Sequence, residues 1–272
     1  MYKVITIPVL KDNYSYVIIN KESKDAIIID VPEFKPIYNY IKDNKLNLKY
    51  ILLTHHHSDH IQGVDDLVAK TGAKVYGNKI DKDRLPKLDF ELLAGQKYDL
   101  EGLNLDVIKS DGHTIGCLSF YFPQINTVFT GDLLFTMGCG RMFEGSYEVF
   151  FESLQKIKKL PINTLIYSGH EYTKQNIEFA ETVVDISSDC LVELNNKIKS
   201  NIPTVPSLLK YEIKNNPFLI AKTVDEFATY RKLKDNFWLI RVEFYQFFGY
   251  KTIMNIPFIK MHGLGNDFVI VD

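Results

Sequence analysis

Residues 54–60 read THHHSDH and place four histidines and one aspartate within a single short stretch. The preceding residues 50–53 (YILL) are apolar, which predicts a short buried strand. Residues 61–70 then carry apolar side chains at helical spacing. The polar stretch therefore leaves the carboxyl end of a strand and enters a helix. Imidazole and carboxylate groups bind Zn²⁺ and similar ions, so this stretch predicts a metal site.

The spacing of these side chains divides them into two groups. His55 and His57 alternate, so in an extended backbone their rings lie on the same side. Asp59 and His60 lie where the chain turns into the helix and can face a different point. This arrangement favours two adjacent ions over one. His56 lies between the alternating positions, and we expect it to point away and make a structural hydrogen bond.

Three later segments repeat the pattern of a strand that ends in a possible ligand. His113 lies between glycines in residues 111–116 (DGHTIG), residues 128–132 (VFTGD) end in Asp132, and residues 164–170 (TLIYSGH) end in His170. A carboxylate at a strand end can bridge two cations. A single histidine or turn aspartate is usually only a polar side chain with a partner, so the repetition is what indicates a shared site.

Composition and charge limit the possible functions. The chain has 272 residues, of which 46% are hydrophobic and 24% charged, as is typical of a globular protein. A net charge of −2 provides no general attraction to nucleic acid. The three cysteines are too few for a disulfide framework, and neither a signal segment nor a bilayer-spanning apolar run is apparent. We expect a monomer in a reducing cytoplasm, with a small-molecule substrate and no nucleic-acid or membrane partner.

The order of predicted elements indicates an α/β fold. The first half is rich in strands with helices between them, and this pattern favours two packed sheets with helices outside. The predicted strands cover residues 4–10, 14–19, 26–30, 50–53, 73–77, 100–108, 117–122, 128–131 and 164–168. The predicted helices cover residues 32–44, 61–70, 175–183, 185–200 and 223–234.

The pattern THxHxDH at residues 54–60 resembles the metallo-β-lactamase superfamily. The resemblance implies an αββα sandwich, in which two mixed sheets pack together between outer helices. It also implies two divalent metal ions, zinc in the first place, with iron or manganese as alternatives that the same ligands accept. The implied ligands are His55, His57 and His113 for one ion, Asp59, His60 and His170 for the other, and Asp132 between them.

Four further motifs closely resemble glyoxalase II, the hydroxyacylglutathione hydrolase family. They are GCGRMFEG at 138–145, GHEYT at 169–173, NPFL at 216–219 and RKLKDNF at 231–237. The likeness covers about residues 1–237. It implies a catalytic domain at 1–171 and a small C-terminal helical domain for substrate binding at 172–237.

This second resemblance also implies a reaction. The family hydrolyses S-D-lactoylglutathione to glutathione and D-lactate, the second step of methylglyoxal detoxification. The implied nucleophile is a hydroxide that the two ions share, held and oriented by the catalytic residues Asp59 and Asp132. The implied glutathione contacts are Arg141, Phe143, Tyr172, Arg231 and Lys234.

Some positions depart from the family pattern. Asp111 replaces a usual proline, Cys117 a frequent histidine and Ile220 a usual arginine, while some members have tyrosine in place of Phe143. The Asp111 carboxylate either perturbs the neighbouring ligand or faces water. None of these positions is an implied ligand, so we expect effects on rate and affinity rather than on the type of reaction.

Residues 238–272 do not belong to this pattern. Residues 254–272 resemble the N-terminus of diaminopimelate epimerase through the motif MHGLGNDF at 261–268. That family needs a pair of catalytic cysteines, and no cysteine follows Cys190, so we expect no epimerase activity. We interpret residues 238–272 as an extra tail from a translated gene junction, with Met254 as the start of the second gene. A functional tail is the alternative.

Three other functions are compatible with part of the pattern. A glutathione persulfide dioxygenase of the same superfamily would use a single iron and consume oxygen. An RNA-processing nuclease shares HxHxDH but needs a basic surface, which the charge of −2 does not favour. A non-catalytic metal-binding protein is disfavoured by the complete ligand set.

Overall fold

The computed structural model describes the backbone of residues 1–248, 258–263 and 266–271, and the side chains of residues 1–237. Residues Met1–Asp235 form one compact unit and residues Asn236–Asp272 a second. In the second unit, β15 (Phe258–Gly263) and β16 (Asn266–Val271) pair as an antiparallel hairpin. Residues 249–257, which include Met254, lie outside the described residues. The likeness of the tail to an epimerase stays a prediction.

The first sheet has six strands in chain order. They are β1 (Tyr2–Val9), β2 (Asn13–Asn20), β3 (Asp25–Ile29), β4 (Asn47–Leu52), β5 (Lys74–Asn78) and β6 (Phe90–Leu92). Strands β1 to β3 are antiparallel, whereas β3 to β6 run parallel to one another. The parallel part brings the carboxyl ends of β3 and β4 to the same edge.

The second sheet also has six strands. The strands after β6 are β7 (Lys97–Leu100), β8 (Leu103–Lys109), β9 (Leu118–Phe122), β10 (Thr127–Gly131), β11 (Leu134–Phe135), β12 (Gly138–Cys139), β13 (Leu165–Ser168) and β14 (Ser207–Leu208). Their order in the sheet is β14-β13-β10-β9-β8-β7, while β11 and β12 form a separate hairpin. Strands β10 and β13 are parallel, so they too end at one edge.

Nine helices lie in residues 1–248. They are α1 (Phe34–Asp43), α2 (Ser58–Ile61), α3 (Val64–Thr71), α4 (Tyr147–Lys158), α5 (Thr173–Ala180), α6 (Ser188–Lys199), α7 (Leu209–Asn215), α8 (Pro217–Ile220) and α9 (Val224–Phe248). In the part of the chain that the structure describes, no helix combines the length and apolar composition that a bilayer span requires.

Strand β2 shows how the layers form. Its alternating side chains enter two different clusters, because successive residues of a strand face opposite sides of the sheet. Tyr16 and Ile18 join the core between the two sheets, which also holds Phe120 and Phe129 of the second sheet. Val17 and Ile19 join an outer cluster with buried residues of α1 and α3. The predicted αββα sandwich with an added helical region is confirmed.

Three predicted elements were wrong in their extent. The helix predicted at 61–70 is broken at Gly63, where a Cβ would come within 2.7 Å of the Phe34 backbone nitrogen. The strand predicted at 100–108 is the β7–β8 hairpin, whose turn has positive φ at Glu101 and Gly102. The helix predicted at 223–234 continues as α9 to Phe248.

A buried glutamate joins the helical region to the β11–β12 hairpin. The Glu212 carboxylate accepts hydrogen bonds from the Met137 backbone N–H at 2.9 Å and from Asn216 Nδ2 at 2.9 Å. Asn216 Nδ2 also lies 3.0 Å from the Gly138 carbonyl oxygen. Burial raises the pKa of Glu212 to about 7, despite these donors. The hairpin is therefore held by a carboxyl group that gains a proton near neutral pH.

We expect Glu212→Gln to remove a pH dependence of stability. The folded state binds this proton more tightly than the unfolded chain, whose ordinary glutamate pKa is 4.5, so the contribution is complete below pH 4.5 and is lost as pH rises through 7. The difference in unfolding free energy between variant and wild type should change by about 3 kcal/mol between pH 5 and 8. Denaturant unfolding at both pH values measures it. Exposed Glu181→Gln is the matched control, and parallel pH curves for wild type and Glu212→Gln would contradict the prediction.

Candidate metal centre

The seven predicted ligands lie together at one edge of the sandwich. His55 and His57 follow β4, and Asp59 and His60 are in α2. The others follow β8, β10 and β13 and are His113, Asp132 and His170. Three sets of donor atoms each lie within 4.8 Å of one another: His55, His57 and His113; Asp59, His60 and His170; and His55, His60 and Asp132.

The first set consists of imidazole nitrogens. His57 Nδ1 lies 3.1 Å from His55 Nε2 and 2.9 Å from His113 Nε2. His113 Nδ1 lies 2.8 Å from the Arg141 carbonyl oxygen, which can only accept, so the proton of the neutral ring is on Nδ1. Burial lowers the pKa of His55, of His57 and of His113, which keeps these rings neutral. Their lone pairs therefore converge on one point.

The second set is arranged by carboxylates on its outer side. His60 Nδ1 lies 2.8 Å from Asp30 Oδ2, and His170 Nδ1 lies 3.1 Å from Asp12 Oδ1. Each carboxylate accepts a hydrogen bond from an Nδ1–H, so both Nε2 atoms face inward. The two Nε2 atoms lie 3.3 Å apart. Asp59 Oδ2 is 3.3 Å from His170 Nε2.

Asp132 lies between the two sets and is buried. Its Oδ1 is 3.3 Å from His60 Nε2, and its Oδ2 is 3.4 Å from His113 Nε2 and 3.3 Å from His170 Nε2. Among the described residues, no group donates a hydrogen bond to the buried Oδ1. A buried carboxylate that faces imidazole lone pairs needs positive charge between them, and the donor set therefore fits divalent cations.

The pKa shifts report the same need for positive charge. Burial lowers the pKa of His170, but Asp132 and Asp59 outweigh burial and raise it to about 10. Burial likewise opposes protonation of His60, and Asp132 with Asp30 raises its pKa well above the ordinary value. A metal ion competes with a proton for each of these nitrogens, so metal binding here would release protons.

Glycines allow the ligands to approach so closely. At Gly169 a Cβ would overlap Asp132 Oδ1 and lie 2.7 Å from His60 Cε1. At Gly140 a Cβ would overlap the Asp132 carbonyl oxygen. Gly169, the strand-end glycine that precedes His170, is thus a steric requirement of the site.

His56 points away from the cluster, as expected. Its Nδ1 lies 2.9 Å from Asp81 Oδ2, which is the structural hydrogen bond that its position predicted. Asp81 also pairs with the Arg84 guanidinium, and Arg84 Nη1 donates to Glu144 Oε1 at 2.7 Å. The Glu144 carboxylate accepts the Ile115 backbone N–H at 2.6 Å. This chain of contacts ties the loops that carry His57, His113 and Phe143 to one another.

Sequence reasoning missed the outer partners Asp12, Asn13 and Asp30. Asp30 accepts from the Thr54 backbone N–H at 2.8 Å, from Thr54 Oγ1 at 2.7 Å and from His60. It follows the apolar strand residues 26–29, so the same strand-end pattern that selected Asp132 was available for Asp30. Asp12 and Asn13 lie in a polar turn, and nothing local distinguishes them.

The predicted substrate contacts Arg141, Phe143 and Tyr172 lie beside the ligands. Phe143 is 60% exposed, and its ring centroid is 5.6 Å from that of His57 and 5.2 Å from that of His113. Tyr172 stacks on His170 at 4.7 Å. The Arg141 guanidinium lies 5.8 Å from the Phe143 ring centroid.

Arg231 and Lys234 are placed differently. Arg231 is only 4% exposed, and Nη1 donates to the carbonyl oxygens of Cys139 at 3.0 Å and Gly140 at 3.2 Å. Lys234 is partly buried, and Nζ donates to Asn176 Oδ1 at 2.9 Å. The structure thus places Arg231 behind the loop that carries Arg141, with its donors directed at that loop.

Two family departures are buried. Asp111 is buried, its Oδ1 accepts the Gly116 backbone N–H at 2.8 Å, and its Oδ2 lies 3.1 Å from Lys109 Nζ. Cys117 Sγ lies 2.9 Å from Thr114 Oγ1. Both side chains brace the loop that presents His113.

The fold and this site define a member of the metallo-beta-lactamase superfamily, whose family description matches residues 11–170. Residues 171–237 match the family described as the hydroxyacylglutathione hydrolase C-terminus. The chain belongs to the hydroxyacylglutathione hydrolase family.

Named relatives agree with this assignment. The chain is 45% identical over 233 residues to the hydroxyacylglutathione hydrolase of Pelagibacter ubique, covering 84% of this chain and 97% of the relative. It is 40% identical over 252 residues to that of Cereibacter sphaeroides, covering 86% and 99%. The crystal structures of the B3 metallo-beta-lactamase BLEG-1 and of ETHE1 from Myxococcus xanthus have the same fold.

These two structures are similar to the chain in fold alone. BLEG-1 has a TM-score of 0.65 at 22% identity, covering 80% of this chain and 100% of that one. ETHE1 has a TM-score of 0.64 at 22% identity, covering 87% of this chain and 91% of that one.

We expect Zn²⁺ to stabilise metal-stripped protein and Asp132→Asn to lose most of this effect. Ligand binding to the folded state raises stability by about 2.7 kcal/mol at a hundredfold excess over Kd. The neutral amide of the variant leaves the two sets of ligands without the shared negative charge. Thermal unfolding with increasing Zn²⁺ measures the gain. Asp66→Asn, the same change at an exposed carboxylate, should keep the full gain, and an equal gain in Asp132→Asn would contradict the site.

Proposed function

We propose that this enzyme hydrolyses S-D-lactoylglutathione to glutathione and D-lactate. The observation that carries the proposal is that the two ligand sets around Asp132 occur in the same chain as the helical region typical of hydroxyacylglutathione hydrolases. Hydrolysis of a thioester needs an activated water, an electrophilic contact for the carbonyl oxygen and a binding surface for the thiol portion.

We propose that two divalent ions occupy the site, zinc in the first place, with iron or manganese as alternatives. One ion would bind His55, His57 and His113, the other Asp59, His60 and His170, with Asp132 shared. Bound ions of this kind lower the pKa of water and polarise a carbonyl group. The separation of the donors into two sets on either side of one carboxylate supports two ions over a single iron.

The chain's own residues would orient the reactants. Asp59 is the partly exposed carboxylate of the site. Its hydrogen bonds with His170 and Asn13 lower its pKa, and they outweigh the opposite effect of burial. It therefore stays ionised and can accept a hydrogen bond from the attacking water. Asp132, whose pKa is held well below its ordinary value by His170 and His60 against the effect of burial, keeps the shared negative charge at all relevant pH values.

The thiol portion would lie against the loop at 141–143 and α9. Glutathione carries two carboxylates, so Arg141 and Lys234 are suited to meet them. Phe143 and Tyr172 provide apolar surfaces on either side of the ligands. We propose that Arg231, because it is buried and paired with Asp235, acts by holding the Cys139–Gly140 backbone in place.

We propose a monomer in the cytoplasm, where a reducing environment suits the three free cysteines Cys117, Cys139 and Cys190. Light scattering of the purified protein tests the first statement.

We expect KM to rise with pH because of Lys234. Burial and the nearby Arg231 lower the pKa of Lys234 to about 7, so the ammonium is present below pH 7 and is lost above it. A charged hydrogen bond contributes about 1.5–3 kcal/mol, so Lys234→Ala should raise KM about tenfold or more at pH 6 and lower kcat less. Lys234→Arg should flatten the rise in KM between pH 6 and 8. Exposed Lys222→Ala is the control, and an unchanged KM in Lys234→Ala would refute the contact.

Thiol release tests the proposed reaction directly. Purified protein with two bound Zn²⁺ ions should release free thiol from S-D-lactoylglutathione, and a chelator should abolish the release. The glutathione persulfide dioxygenase alternative requires oxygen uptake with glutathione persulfide and one iron per chain. Oxygen uptake without thiol release would replace the proposed function by this alternative.

A further inference from the structure

The turn between β1 and β2 reaches into the metal centre. Asn13, the first residue of β2, is 4% exposed. Its Nδ2 donates to the Asp59 carbonyl oxygen at 3.0 Å and to Asp59 Oδ2 at 3.0 Å. Nδ2 thus faces both the backbone and the side chain of one predicted ligand, and it also lies 3.4 Å from Nε2 of a second, His170.

The residue before it contacts a second ligand of the same set. Asp12 Oδ1 lies 3.1 Å from His170 Nδ1. The backbone fixes the two segments against each other, because the Glu171 N–H donates to the Asp12 carbonyl at 2.8 Å and the Tyr14 N–H donates to the Gly169 carbonyl at 2.8 Å. Two consecutive side chains therefore hold two of the three ligands in the second set.

The first set is supported by other parts of the chain. His55 Nδ1 lies 3.0 Å from Thr54 Oγ1, and His113 Nδ1 lies 2.8 Å from the Arg141 carbonyl oxygen. Among the described residues, the hydrogen bonds and ion pairs of the Asp12 and Asn13 side chains to the seven ligands all go to Asp59 and His170. The β1–β2 turn therefore supports the second set of ligands, whereas other segments support the first.

The chemistry of the two residues suits this role. The Asn13 amide is neutral, so it holds the Asp59 carboxylate in place without compensating its charge and leaves the other lone pairs for a cation. The Asp12 carboxylate accepts a hydrogen bond from the His170 Nδ1–H, which directs the Nε2 lone pair inward. Outer partners of this kind typically change metal affinity 10–100-fold when they are removed.

We propose that Asp12 and Asn13 are positioning residues that set the affinity of the second ion, bound by Asp59, His60 and His170, separately from that of the first. The proposal rests on the two-ion site of the proposed function. It goes beyond that function because it makes the β1–β2 turn responsible for whether the enzyme holds one ion or two.

Stepwise Zn²⁺ affinities test the proposal. Metal-free, full-length wild type, Asn13→Ala and Asp12→Ala are titrated with Zn²⁺ against a chromophoric competing chelator, which resolves the two binding constants. We expect one of the two constants to fall 10–100-fold in each variant, while the other stays within about twofold of wild type. Asp12→Asn keeps an acceptor oxygen, and we expect it to recover part of the loss.

Controls separate positioning from general damage. Lys11→Ala changes an exposed side chain of the same turn and should leave both constants unchanged. Circular dichroism of the metal-free proteins verifies folding, and if Asn13→Ala does not fold, Asp12→Ala decides the question alone. Unchanged constants, or an equal fall in both constants, would overturn the proposal.

The two proposals fail in different ways. If wild type binds two ions but releases no thiol from the lactoyl conjugate, the proposed function fails while the titration still decides the role of the turn. If wild type binds only one ion, the positioning proposal is overturned, whether or not thiol is released.

Discussion

The crowding of lone pairs around the Asp132 carboxylate is the constraint on which the rest of the structure depends. Imidazole nitrogens of His60, His113 and His170 lie within 3.3–3.4 Å of its oxygens in a buried place. Asp132 is buried, so its charge must be balanced from within the site. The sandwich holds these groups together, and the bound cations that the arrangement fits would stabilise it in turn.

The outer surroundings of the ligands determine how they face inward. The outer nitrogen of each of three rings donates a hydrogen bond, which fixes the tautomer of that ring. The acceptors are Asp30, Asp12 and the Arg141 carbonyl oxygen. Each partner is carried by a different segment: the end of β3, the β1–β2 turn and the loop after β12. The binding surface for substrate is built on one of these same segments, so substrate contacts and metal geometry share a support.

Much of the architecture was predictable because it depends on local patterns. Period-two alternation and apolar runs predicted the strands, and the repeated strand-end ligands selected the seven residues that the structure brings together. The errors in extent occurred where backbone contacts decide, as at Gly63, whose close approach to α1 ends a helix that the apolar spacing would continue. The burial of Arg231 was likewise not predictable, because a helix pattern does not show which neighbours cover a charged side chain.

The sequence by itself therefore determined the layers, the family and the identity of the residues that cluster, since each has a local signature in residue type and spacing. Only the tertiary structure decided their partners. Asn13 meets Asp59, Asp12 meets His170, and Asp30 meets His60, and each pair joins segments far apart in the chain. The physical reason is that a hydrogen bond depends on position and direction within a few tenths of an ångström. Such geometry arises only when the two sheets have packed.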